Sequence, residues 1–179
     1  FTIPVYGRLP FVLPTVPSTN QTTAQYGIYL QDQIKLDRLS LLVGGRFDRA
    51  EARTRALSTG VLTKQDDTAR TGRVALMYNF DNGFAPYASY STSFEPVAGT
   101  AFGGTPFKPT EGEQYEAGFK YEVPGTNAFL QASVYQLTQS NVTTTDLAHP
   151  TFQIQTGEIR ARGVEVEARA TVFDNLDLV

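Results

Sequence analysis

The sequence is poorest in the residues that build catalytic and metal centres. Its 179 residues include no cysteine, no tryptophan, one histidine and one methionine. Without thiols there is neither a disulfide framework nor a thiolate metal site. His149 stands beside Pro150 in a polar stretch. A lone imidazole is no metal site, and no Ser-His-Asp spacing surrounds it. No catalytic residue is therefore assigned, and the chain is read as a non-enzyme. Gly103-Gly104 is followed by no helical pattern, which removes a phosphate loop. Positive charge is scarce too: 15 Lys and Arg against 18 Asp and Glu, net −3, with no basic run. That argues against a nucleic-acid partner. No apolar run approaches the ~18 residues of a membrane-spanning helix. Phe1-Thr2-Ile3-Pro4-Val5 has neither the basic nor the apolar part of a signal peptide. The chain opens like the middle of a loop and stops like the start of a strand, so it is expected to be an excerpt of a longer protein.

What is present is alternation. Gly (15) and Pro (10) suit a turn-rich all-β chain. Tyr26, Ile28, Leu30 and Ile34 share one face of a strand, with Gln25, Gly27, Gln31 and Gln33 on the other. After a tight turn at Asp37-Arg38, Leu39, Leu41, Val43 and Phe47 alternate with Ser40, Gly44, Arg46 and Asp48. Each arm is about ten residues or longer. Typical soluble strands have ~5–6, whereas ~9–11 tilted residues cross a bilayer. The pattern recurs. A third strand is expected over residues 69–79, then a turn at Asn82-Gly83. A fourth follows over 85–93, with Pro86 near its start. The fifth, over 113–123, places Tyr115, Ala117, Phe119, Tyr121 and Val123 opposite Gln114, Glu116, Gly118, Lys120 and Glu122. A turn at 124–127, a sixth strand over 128–139 and a seventh over 152–172 complete the set. Asp174-Asn175 then turns into a truncated eighth.

The connections alternate in length. Short turns fall near Asp37, Asp81, Gly125 and Asn175; long loops are expected over 49–68, 94–112 and 141–151. Every short turn then lies on one rim and every long loop on the other, the asymmetry of outer-membrane barrels. Aromatics gather near strand ends: Tyr78, Phe84, Tyr121, Phe129 and Phe173 by the short turns, and Tyr26, Phe47, Tyr90 and Tyr115 by the long loops. Two such girdles mark the two membrane interfaces. The polar faces carry Arg46 with Asp48, Glu116 with Lys120, and Glu165 and Glu167 with Arg169, which suits a watery or plugged lumen. The alternatives are a passive porin-like channel, a receptor for another nutrient, and, further off, a soluble β-sandwich binding module.

Five stretches in order carry a resemblance. They are Tyr29-Leu30-Gln31-Asp32-Gln33 with Gly44-Gly45-Arg46-Phe47-Asp48; Phe80-Asp81-Asn82-Gly83 with Pro86-Tyr87; Ser93-Phe94-Glu95-Pro96; Gln114 to Tyr121; and Gly157 to Ala168. Together they resemble the barrel of TonB-dependent siderophore receptors, most of all the ferric-hydroxamate (ferrichrome-type) branch. The resemblance implies an all-β fold: an antiparallel up-and-down transmembrane β-barrel. Seven to eight consecutive strands of a 22-stranded barrel are expected here, with long extracellular loops and short periplasmic turns. Residues 1–21 would be an extracellular loop and 22–179 barrel strands and loops, with the plug domain absent. It further implies an outer-membrane receptor that imports a ferric siderophore, energised by the TonB complex through its own N-terminal plug. Lipid and lipopolysaccharide would surround it, in the cell outer membrane of a Gram-negative bacterium. No cofactor is implied; iron enters only inside the ferric siderophore.

A ferric hydroxamate already has its iron satisfied, so the protein need offer only aromatic faces and a few hydrogen bonds. On position, Tyr6, Phe94, Phe102, Phe107 and Tyr115 are the candidate ligand residues, although Tyr115 lies on the apolar face by parity. Arg46, Asp48, Glu116, Lys120, Glu165, Glu167 and Arg169 are expected to form lumen or plug salt bridges. Glu158, Arg160 and Arg162 would sit above the bilayer, since charge at its middle costs ~2–4 kcal/mol.

Overall fold

Asp37 and Arg38 reverse the chain between two 18-residue strands, β1 (Thr19–Leu36) and β2 (Leu39–Ala56). Asp37 takes a left-handed φ of 53°, a conformation Asp tolerates better than most non-glycine residues. The computed structural model describes residues 19–57, 59–155, 157–172 and 176–178. It continues with β3 (Leu62–Tyr78), β4 (Phe84–Glu95), β5 (Thr110–Glu122) and β6 (Ala128–Ser140). A small hairpin, β7 (Thr143–Thr145) with β8 (Gln153–Gln155), precedes β9 (Glu158–Val172) and β10 (Leu176–Leu178). Eight strands form one sheet in the order β1-β2-β3-β4-β5-β6-β9-β10, each antiparallel to its neighbour. This is the up-and-down order expected. The sheet is open, with β1 and β10 at its edges.

Cross-strand register sorts every side chain to a face. Ile28 pairs with Phe47, Leu41 with Leu76, and Val74 with Tyr90. Ala88 pairs with Ala117, which pairs with Val134, which pairs with Val164. A band of exposed apolar side chains thus crosses the whole outer face: Ile28, Leu30, Val43, Val74, Leu76, Val134, Val164 and Val166. Water would not tolerate so broad an apolar surface on a single sheet, and lipid covers it without penalty. Near the short turns Tyr78 and Phe80 meet edge-on at 4.7 Å, and Phe84 stands 5.2 Å from Phe119. Near the long loops Tyr90 and Tyr115 pair at 4.9 Å. Two aromatic belts are therefore present. Phe129 does not belong to the lower one: it pairs in register with Glu122 and Arg169 and so lies on the inner face. Phe173 and the Asp174-Asn175 turn lie outside the described residues.

The short turns are tied to one another. Arg38 ion-pairs with Asp81, and Asn79 donates from its backbone N (2.7 Å) and its Nδ2 (3.0 Å) to the Arg38 carbonyl. At the Asn82-Gly83 turn, Gly83 has a φ of 83°, and a Cβ there would run into the Glu122 carbonyl. Only glycine fits.

Three expected boundaries are corrected. The stretch 49–68 is no long loop. β2 and β3 continue through it, and the reversal between them is closed by the bond from Ala56 N to Val61 O (2.9 Å). At ~3.3 Å per residue these strands are about 60 Å long, twice what a bilayer needs. Their upper halves alternate exposed charged residues with small buried ones, Ala50 and Ala52 among them, so no alternation of large apolar residues marks them. Cross-strand charge holds them instead, as Arg49 does with Asp66. Likewise β1 begins at Thr19, inside the segment expected to be loop. Finally, residues 153–155 do not start the seventh barrel strand; they fold back on Thr143–Thr145, and β9 begins at Glu158.

One seam is unlike the rest. β4 pairs with β5 over its full length, but the β3–β4 ladder covers only Arg73↔Ser91 to Met77↔Tyr87. It stops beside Pro86, which has no N–H to give. Above Ser91 a side chain takes over: Gly72 N donates to Thr92 Oγ1 at 2.9 Å.

Candidate functional site: the lumen wall and the loop cap

The inner face is built from the residues that alternate with the apolar band. At its upper left, Asp48 is buried (2% exposed) beneath Arg46, whose Nε and Nη2 donate to its two carboxylate oxygens at 2.6 and 2.7 Å. Gln25 Nε2 adds a third bond at 3.0 Å. Both charges sit on β2 two residues apart, so the strand period puts them side by side. Gly27, opposite on β1, leaves room for the guanidinium, because a Cβ there would lie 2.9 Å from Arg46 Cζ.

Lower on the wall Tyr87 donates to Glu116 at 2.6 Å, and Gln114 donates to the same carboxylate at 3.1 Å. Lys120 stands 6.0 Å over the Tyr87 ring. The expected Glu116–Lys120 ion pair is therefore not formed: Glu116 bonds Tyr87 and Gln114, and Lys120 uses the π face of the same Tyr87. Glu167 and Arg169 do pair, at 2.6 Å. Glu165 and Arg73 make no hydrogen bond or ion pair with the described residues, and both project from the inner face. Arg73 and Glu116 border two hollows of about 540 and 400 Å³ along this wall. Glu158 and Arg160 pair at 2.5 Å, and Arg162 donates to Gln136 at 2.8 Å. All three stand on the outer face, Arg162 level in register with the Tyr90–Tyr115 pair and Arg160 and Glu158 above it.

The cap is formed by the loops 96–109 and 141–157. Phe102 stacks flat on His149, with centroids 3.5 Å apart and planes at 10°, and Phe152 meets Phe102 edge-on at 5.2 Å. Asp146 Oδ2 lies 3.0 Å from His149 Nδ1, and Ala148 N donates to Oδ1 at 2.8 Å. The His149 bond, helped by the Ala148 amide, holds the Asp146 carboxyl below the usual carboxylate range. Side-chain amides join the loops. Gln155 Nε2 donates to the carbonyls of Lys108 and Asn141, and its Oε1 accepts from Lys108 N at 2.7 Å. Asn141 Nδ2 donates to the Pro109 carbonyl at 2.9 Å.

The five candidate ligand residues are not gathered in one place. Tyr6 lies outside the described residues. Phe102 is 54% exposed on the cap. Phe107, in the same loop, is only 6% exposed and packs under Gly99, so its ring belongs to the interior of the loop. Phe94 pairs with Glu111, two steps above the Tyr90–Tyr115 pair, which puts it on the outer register. It lines a cleft of about 700 Å³ at the β3–β4 seam with Arg70, Glu111 and Glu113. Tyr115 is on the outer face too, its hydroxyl donating to Glu113 at 2.7 Å. His149 and Phe152, which complete the exposed stack, carry no sequence signal beyond their neighbourhood to Pro150. The amides Gln65, Asn141 and Gln155 carry none.

A wall with a lipid-facing band, two aromatic belts, a polar inner face and a loop cap on one rim defines a segment of an outer-membrane β-barrel. The chain belongs to the TonB-dependent receptor-like β-barrel family, whose model matches residues 2–179. This places it in the outer membrane of a Gram-negative bacterium. The ferrioxamine B receptor of Salmonella typhimurium (strain LT2) is 39% identical over 176 residues, 98% of this chain and 25% of that protein. The ferrichrome outer membrane transporter/phage receptor of Escherichia coli K12 is 40% identical over 155 residues, 87% of this chain and 21% of that protein. Among solved structures, the siderophore receptor PiuA from Acinetobacter baumannii has the same strand arrangement. Its TM-score is 0.73 at 22% identity, covering 88% of this chain and 24% of that one. The chain thus spans about a quarter of the length of the curated relatives it matches.

Proposed function

We propose that this barrel wall belongs to a receptor that imports a ferric siderophore of the hydroxamate type, energised through TonB. The observation that carries this is the 39–40% identity, along most of the chain, to receptors named for ferrioxamine B and ferrichrome. The cap and the inner wall fit such a cargo. A ferric hydroxamate presents an apolar rim and oxygen edges, with no open position on the metal. The exposed Phe102–His149–Phe152 stack offers aromatic faces for the rim, whereas Phe94 and Tyr115 lie on the outer face, away from it. The open charges Arg73 and Glu165, with the paired Arg46–Asp48 and Glu167–Arg169, face the lumen. There they would hold the protein's own plug until the TonB complex rearranges it. On the outer face above the belts, Arg49, Arg53, Arg55, Lys64 and Arg70 outnumber Glu51 and Asp66, which pair with Arg49 and Arg53, and the cationic excess suits lipopolysaccharide phosphates.

The test is calorimetric titration of the full-length receptor in detergent with ferric hydroxamates, ferric catecholates and cobalamin. Tight binding of one ferric hydroxamate is expected, weakened about tenfold, or ~1.4 kcal/mol, by Phe102→Ala. Binding of a catecholate or cobalamin alone refutes the substrate class. Replacing Glu165 and Glu167 together by Ala should impair uptake or plug retention; unchanged transport refutes their role.

A further inference from the structure

Above Thr92, no main-chain ladder joins β3 to β4 or to the loop that follows it. The upper β2–β3 hairpin is nevertheless fastened there, by a single amide. Gln65 Nε2 lies 2.8 Å from the Phe107 carbonyl, 3.1 Å from the Val97 carbonyl and 2.8 Å from Asp67 Oδ2. Two hydrogens are thus shared among three acceptors. Val97 and Phe107 stand at the two ends of the loop 96–109. Between them Phe107 N bonds the Gly99 carbonyl at 3.1 Å, Thr100 bridges Pro106, and Phe107 fills the interior. Gln65 therefore pinches the neck of the loop that carries Phe102. On the loop's far side Gln155 and Asn141 bond Lys108 and Pro109.

We propose that Gln65 is a positioning residue for ligand capture. It clamps the neck of the loop 96–109 and couples it to the upper β2–β3 hairpin, so that Phe102 and His149 are held stacked before any ligand arrives. This rests on the reading of the cap as the ligand-contacting surface. A preorganised aromatic platform loses little freedom on binding, so loosening it raises the dissociation rate more than it lowers the association rate. Gln65 itself is too deep at the neck to touch a ligand seated on Phe102. Its effect is transmitted by the loop backbone.

The experiment uses the full-length receptor in detergent, as wild type, Gln65→Ala and Gln65→Glu. Alanine removes the donor. Glutamate keeps the shape but turns an oxygen toward two carbonyls and the Asp67 carboxylate. Hydrogen exchange followed by mass spectrometry should show residues 97–109 exchanging roughly tenfold faster in both variants, with β5 and β6 unchanged. Dissociation of the ferric hydroxamate should accelerate roughly tenfold, with association altered by no more than about twofold. Unchanged exchange in both variants overturns the clamp. Faster exchange with unchanged dissociation overturns its role in capture. If the wild type binds no ferric hydroxamate, the substrate reading falls, and exchange alone then upholds or overturns the clamp.

Discussion

Val134 tests the assignment of faces most directly. It is 54% exposed, and its register partners are Ala117 and Val164. It lies midway along β6, six residues from both Ala128 and Ser140. At ~3.3 Å per residue and a tilt of ~45°, that is roughly 14 Å of depth from either end, near the middle of a ~30 Å hydrocarbon slab. Val134→Arg would place a guanidinium in lipid at the depth where such a charge costs ~2–4 kcal/mol. Expressed as an equilibrium, folding into the bilayer should weaken roughly 30- to 700-fold. The matched control is Gln131→Arg, three residues earlier on the inner face, between Lys120 and Glu167 in register. There the new charge meets water and a carboxylate, and the effect should stay within about 0.5 kcal/mol. The assay is urea titration of the full-length receptor in lipid vesicles, scoring the folded barrel by its heat-modifiable mobility on gels. Equal effects of the two variants, or a larger effect of Gln131→Arg, would refute the division into lipid and lumen faces.

Two further outcomes follow from local geometry. Gly163 faces Tyr135 across the β6–β9 ladder, and a Cβ there would stand 2.6 Å from Tyr135 Cζ. Gly163→Val should therefore cost ~1–3 kcal/mol by overpacking, in the same urea titration, and Tyr135→Ala should relieve most of it; no relief would refute the contact. Asp146 has a depressed folded-state pKa, so its contribution to the loop is complete above its unfolded value of about 3.9 and is lost as pH falls through the lower folded value. The exchange protection of the Ala148 amide should accordingly show a step of loss in acid, as pH falls below about 4. Asp146→Asn should remove that acid step, and a step persisting in Asp146→Asn would assign it elsewhere.

The barrel wall was legible wherever one face meets lipid. Tyr115 to Val123 alternates because greasy and watery sides differ, and the structure forms β5 there. The upper β2–β3 hairpin escaped because its buried face is built from small residues, Ala50 and Ala52, rather than from large apolar ones. A period of two was present all the same, in charge against small residues: Arg49, Glu51 and Arg53 alternate with Ala50, Ala52 and Thr54. Parity also held the answer for Phe129, which shares its face with Gln131 rather than Leu130. The Glu116–Lys120 pairing failed for another reason. Residues four apart on a strand share a face but stand ~13 Å apart, and Tyr87, from the next strand, reaches both. The cap was least legible. Phe102 was picked out by position, but its partners His149 and Phe152 come from a loop some fifty residues away. The amides that join the loops bond to backbone, which leaves no pattern in side-chain type.

The register of β1 with β2 runs through eighteen consecutive pairs, from Thr19↔Ala56 to Leu36↔Leu39, without a bulge. The same unbroken counting passes through β3, β5, β6 and β9. A consequence concerns how such a gene can change length. One codon gained or lost within β2 would turn every later side chain of that strand inside out, sending Arg46 to the lipid and Phe47 to the lumen. Gains or losses in twos keep the faces and shift only the height of the rim. Loops such as 96–109 and 141–157 carry no such parity. Length variation in this wall is therefore confined to even steps in the strands, and it is free only where the chain has already left the membrane.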